Sequence, residues 1–156
     1  MTKKKRKAKK PETQVYMVNV IDWSVDYAFV GLERISPYGS REHGEDTSLT
    51  IYGEVRYPKY KDVSKAEVYL TAEPGMNDHW KNDYEGERSS TIGYMQILGD
   101  KITLHLMADI PSRMYTNLQI SLAAGKIKFI QAYGERLKWG RGRMFNISFS
   151  TKAEED

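Results

Sequence analysis

The residues of this chain that could do chemistry are few, and most sit in polar stretches. His79 and Trp80 close the run Met76-Asn77-Asp78-His79-Trp80, inside a loop-like segment from Pro74 to Ser90. A large ring in a polar loop either packs back onto the fold or meets a partner, and Trp is favoured at binding hot spots. His43 has Glu42, Glu45 and Asp46 as neighbours, and His79 has Asp78 and Asp83. Such sets can ligate a cation or exchange protons. Neither a His-Glu-x-x-His spacing nor an acidic calcium loop accompanies them. No metal site and no cofactor are therefore expected. A Gly-x-Ser-x-Gly elbow and a Gly-x-x-x-x-Gly-Lys phosphate loop are also missing. With no Cys and three His, nucleophilic and acid–base candidates are sparse. An enzyme built on Glu42, His43, Glu45, Asp46, Asp78 and His79 ranks behind the binding readings.

The charged residues say more. Lys3, Lys4, Lys5, Arg6, Lys7, Lys9 and Lys10 place seven cations in eight positions. The whole chain carries 24 Lys+Arg against 21 Asp+Glu, a net of +3. Without those seven, 17 cations face 21 acids, so the remainder is mildly acidic. Crowded like charges with no apolar surface to bury are expected to be disordered. Such an arm can contact a polyanion, but without reading sequence. A second basic group is Lys126, Lys128, Arg136, Lys138, Arg141 and Arg143, opposed only by Glu135. Phe129, Tyr133 and Trp139 interleave with it, a pattern that suits a single-strand nucleic-acid platform. The competing reading keeps Phe129 and Ile127 for the core and leaves 139–143 as a plain loop.

Length and composition bound the scaffold. At 156 residues one domain is expected, with a core that needs no staples. The basic start lacks the apolar run of a secretory signal. No apolar stretch reaches the ~20 residues of a membrane-spanning helix. Lack of Cys fits a reducing compartment, and a cytoplasmic location is the expectation. The division expected is a disordered arm over 1–13, one domain over 14–151 and a frayed acidic end over 152–156.

Within the domain the dominant period is two. Ile102, Leu104, Leu106, Ala108 and Ile110 alternate with polar residues, as do Ala66, Val68, Leu70 and Ala72. Leu49, Ile51, Val55 and Tyr57 repeat the pattern, and so do Phe145, Ile147 and Phe149. Each segment reads as a strand with one dry and one wet face. Segments 15–23, 25–34, 91–98 and 126–133 read as further strands, while 36–46 and 137–143 read as loops. Leu98-Gly99-Asp100-Lys101 gives a two-residue hairpin signal. Met114, Leu118 and Leu122, between Pro111 and Gly125, predict a short helix over 112–124, although near-alternation also allows a strand. The fold expected is mainly β, an antiparallel two-sheet sandwich of about eight or nine strands, with a barrel as the alternative. The function expected is a non-enzymatic binding domain with a polycationic tether. Its partner would be a protein or glycan, met through Trp80, His79 and Trp139. The alternative is nucleic-acid association through the arm and the 126–143 segment, with Arg141 and Arg143 adding polyanion contacts.

Overall fold

The computed structural model describes residues 10–35, 41–73 and 91–152, with backbone alone for 29–35, 41–46 and 73. The order of elements is β1 (Thr13–Ile35), β2 (Arg41–Tyr57), β3 (Lys65–Glu73), β4 (Gly93–Ile97), β5 (Thr103–Pro111), α1 (Ser112–Ala123), β6 (Phe129–Glu135) and β7 (Arg141–Ser150). The expected mainly-β architecture with one short helix is present, and the arrangement is the alternative one. The strands close into a single barrel in the order β1-β2-β3-β5-β4-β7-β6. No second sheet stacks on it among the described residues, so the sandwich is corrected to a barrel of seven strands.

Period two allows either solution, because both need one dry face per strand. Closure is decided by β1, whose start pairs with β6 (Thr13↔Glu135 to Asn19↔Phe129) and whose stretch from Met17 to Ile35 pairs with β2. The segments expected as two strands, 15–23 and 25–34, are one strand bent by register shifts at Met17/Val18 and Val20/Asp22. Residues 41–46, expected in a loop, are the start of β2 and pair with β1 as far as Ile35↔Arg41. Beyond Asn19 no strand other than β2 pairs with β1 among the described residues, so 20–35 and 41–47 form a two-stranded ribbon. One pairing is not antiparallel: β5 returns beside β3 in parallel, from Lys65↔Thr103 to Glu73↔Pro111. The β4–β5 hairpin is thus inserted with β5 inward, an order no local pattern encodes.

The interior is filled by the predicted dry faces. Leu49, Ile51, Ala66, Val68, Leu70, Leu104, Leu106, Ala108 and Ile110 are buried and join Val18, Met95, Ile130, Ala132 and Met144 in one cluster. Full burial of one such aliphatic side chain contributes about 1.5–3 kcal/mol. Helix α1 follows β5 directly, with Pro111 as its N-cap rather than its first residue. Tyr115, Leu118 and Leu122 face the core, the spacing of one helix side. Gly125, at φ +65°, ends it. The Lys126 and Gly125 N–H groups bond Ser121 and Leu122 carbonyls at 2.9 Å each, a paired C-terminal cap that needs the left-handed residue. The 98–101 turn forms, but its positive φ (+60°) falls on Lys101 instead of Gly99. Asp100 secures it, accepting from the Ile102 and Thr103 N–H groups at 3.0 Å and from Thr103 Oγ1 at 2.5 Å. Those bonds hold its carboxyl below the ordinary aspartate range.

Candidate functional site

The β6–β7 connection, expected as a loop over 137–143, is a tight turn. Lys138 and Arg141 exchange backbone bonds of 2.9 and 3.1 Å across Trp139 and Gly140. Both central residues have positive φ, +57° and +74°, the geometry of a type I′ hairpin. Glycine or asparagine suits such a position, and a bulky residue there is strained. Trp139 nevertheless occupies it, with 92% of its surface exposed. The turn is held to the neighbouring strand by the Ile97 N–H bond to the Gly140 carbonyl at 2.8 Å.

The N-terminal segment meets this turn. The Arg136 N–H bonds the Glu12 carbonyl at 2.8 Å, and the two side chains form an exposed ion pair at 3.2 Å. Tyr16, buried, donates to the Glu135 carbonyl and accepts from the Leu137 N–H, both at 3.0 Å. Burial pushes its phenol up, partly offset by the Leu137 bond. Lys10, Lys138 and Arg141 line one groove with Pro11, Arg136 and Leu137. Lys10, the last cation of the first basic group, thus meets the second group at one barrel end.

From there an aromatic row crosses the outside of the barrel. Cross-strand pairing sets Tyr69 (β3) beside Met107 (β5), Met107 beside Tyr94 (β4), and Tyr94 beside Arg143 (β7). Tyr69 and Tyr94 are 42% and 60% exposed. The row continues through a bulge. Tyr133 faces Asn146 whereas Gly134 faces Met144, leaving Phe145 as the extra residue. Met144 is buried and Ile147 and Phe149 pack on the core, so the bulge re-phases the strand. Phe145, expected on the dry face, instead packs its ring 6.2 Å from that of Tyr133, which is exposed on the outer face. Phe129 is also outside the core cluster. It alternates with buried Ile130, and the Arg56 guanidinium lies 5.9 Å from its ring. The competing reading that reserved Phe129 for the core is corrected; Ile127 does pack there.

Arg143 is fixed within this row. Its Nε and Nη2 donate to Glu135 Oε1 at 2.9 and 2.7 Å, and its backbone N–H donates to Oε2 at 2.9 Å. The guanidinium lies 5.7 Å from the Phe145 ring centre, within cation–π range. The Arg143 bonds hold the Glu135 carboxyl below the ordinary carboxylate range, against partial burial. Gly134 permits this packing: a methyl there would overlap the Arg143 carbonyl and the end of Met95.

Three grooves of about 490, 600 and 460 Å³ join end to end along this surface. The first two share Glu135 and Arg141, and the second and third share Tyr94 and Met107. The track runs from the basic turn across β7, β4, β5 and β3. Of the expected site residues, Lys10, Trp139, Arg141 and Arg143 fall at its basic end. Lys3, Lys4, Lys5, Arg6, Lys7, Lys9, His79 and Trp80 lie outside the described residues. His105 is on the wet side of β5, 3.5 Å from Glu67. Among the described residues no group of three or more His, Asp or Glu is placed to hold a metal ion, and no helix is long and apolar enough to cross a membrane. Tyr69, Tyr94, Met107, Glu135 and Phe145 were not singled out as site residues; for Tyr69 its place on a wet strand face was the available signal. The chain matches no protein-family model, no curated protein and no solved structure.

Proposed function

We propose that this protein is a non-enzymatic binding domain for an extended polyanion, which its basic N-terminal arm captures and the grooved outer face of the barrel holds. The carrying observation is the convergence of Lys10 with Arg136, Lys138 and Arg141 at the mouth of the groove track. Six further cations immediately precede Lys10 in the sequence. An arm of this kind contributes affinity and a fast encounter that salt weakens, while the groove face contributes orientation. A chain of open grooves suits a polymer better than a small molecule, which would be taken into an enclosed pocket.

The test is retention on immobilised heparin across a salt gradient. Wild type is expected to elute late. A variant with Lys3, Lys4, Lys5, Arg6, Lys7 and Lys9 replaced by Ser is expected to elute much earlier, and Arg141→Gln with Lys138→Gln slightly earlier. Retention that ignores both sets of substitutions, or no retention at low salt, overturns the reading.

A further inference from the structure

Resting on that reading, we infer that the polyanion is a single-stranded nucleic acid whose bases stack along the Tyr133–Phe145–Arg143–Tyr94–Met107–Tyr69 face. Charge complementarity at the basic end admits any polyanion. The rest of the track is selective in kind. Past Arg141 and Arg143 it offers ring faces and a thioether, and it ends beside Asp109. A phosphate ladder running the full track would meet no further cation there among the described residues. A polymer that is anionic along one edge and flat and aromatic along the other satisfies both halves, and single-stranded DNA or RNA has that build. A duplex hides its base faces in the stack and presents phosphates and base edges instead.

Glu135 sharpens the choice. A free arginine beside a phosphate would present the edge of its guanidinium as a bidentate donor. Here Glu135 already takes Nε and Nη2. What remains is the outer Nη1/Nη2 edge and the plane of the guanidinium, set against Phe145, and a fixed plane serves stacking. Glu135 is thus a positioning residue that withdraws the Nε edge of Arg143 from phosphate and fixes its plane as part of the stacking surface. The ring row also crosses the strands at right angles to their run. Neighbouring strands lie about 4.8 Å apart, so Tyr69 and Tyr94, two strands apart, stand roughly 10 Å from each other. Successive rings can therefore receive separate bases of an extended strand.

The experiment measures fluorescence anisotropy of labelled 12-nucleotide single-stranded DNA and RNA, the matching duplex and a heparin fragment of similar charge, each with full-length protein. Wild type should bind single strands more tightly than duplex at equal salt. Tyr94→Ala, an exposed position that circular dichroism can show to be folded, should weaken single-strand binding roughly tenfold. It should leave heparin binding unchanged. Glu135→Gln should weaken single-strand binding while steepening its salt dependence, because the Arg143 plane is no longer fixed and its Nε edge is freed for phosphate. Duplex bound as tightly as single strand, or indifference of single-strand binding to Tyr94→Ala, overturns the stacking inference while heparin binding keeps the polyanion reading. A neutral glycan bound in a salt-independent, Tyr94-dependent way overturns it in favour of sugar stacking. Failure to bind heparin and nucleic acid alike overturns the polyanion reading itself.

Discussion

The β6–β7 hairpin and the β1–β2 ribbon mark opposite ends of this barrel, and they differ in nearly everything except backbone pairing. The β6–β7 ribbon is short, closes in a two-residue turn and lies in a segment, 126–143, with six cations against one acid. The β1–β2 ribbon is long, and its residues 20–47 carry six acids against two cations. The basic ribbon shares its end with the N-terminal segment, whereas the acidic one leaves beside α1, where Gln119 donates to Tyr27 at 2.6 Å. A net charge near neutral therefore conceals a strong axial asymmetry. On the proposed reading, a polyanion approaching such a molecule would be drawn to one end and repelled from the other, and the charge distribution would set the direction of a bound strand.

The largest expected effect breaks the basic ribbon mechanically. Gly134→Val places a branched side chain against the Arg143 carbonyl and Met95, at the seam where β6, β7 and β4 meet. Overpacking of a closed seam should cost about 2 kcal/mol or more, read as a lower urea midpoint. The acidic ribbon should tolerate change far better. Ile21 is 64% exposed, and Ile21→Ser should shift stability by less than about 0.5 kcal/mol. Equal sensitivity of both sites would mean that the acidic ribbon is as tightly packed as the seam.

The second effect is electrostatic. Arg141→Gln should reduce the magnitude of the salt slope for a single strand by about 0.7, one phosphate contact. Asp22→Asn with Asp26→Asn, on the acidic ribbon, should raise affinity at low salt without changing the bound footprint. An identical rise on neutralising Glu54 and Glu67, on the side of the barrel away from β6 and β7, would show that net charge alone matters and that the axial asymmetry does not.

The sequence made the strands, their dry faces and the helix legible because period-two and period-four burial are local properties. Leu104 to Ile110 and Ala66 to Ala72 needed nothing beyond their own alternation. Barrel closure was not legible, because the β1–β6 and parallel β3–β5 pairings join distant segments that any half-dry strand could satisfy. The candidate site was half legible for the same reason. Charge runs such as Lys3 to Lys10 and Arg136 to Arg143 are visible in any fold. Phe145 was misplaced because one bulged residue reverses the faces of everything after it, and Phe129 because its neighbour Ile130 fills the core instead. Alternation alone assigns two faces, and it does not say which of two adjacent apolar residues is inside.

Trp139 tests the comparison most finely. The β1–β2 ribbon has no described turn residue of this kind, whereas the basic turn holds a fully presented indole at φ +57°. Asparagine is the residue that a type I′ turn favours before glycine. Trp139→Asn should therefore stabilise the protein by about 0.5–1 kcal/mol, through release of backbone strain at an exposed site that gives up almost no packing. If the turn also serves as a contact at the mouth of the track, the same substitution should weaken single-strand binding several-fold, with the salt slope unchanged because no charge is lost. Opposite signs in the two measurements identify strain retained for binding. A variant that is both more stable and equally tight would leave Lys138 and Arg141 as the whole contribution of the turn and confine stacking to the Tyr94 face.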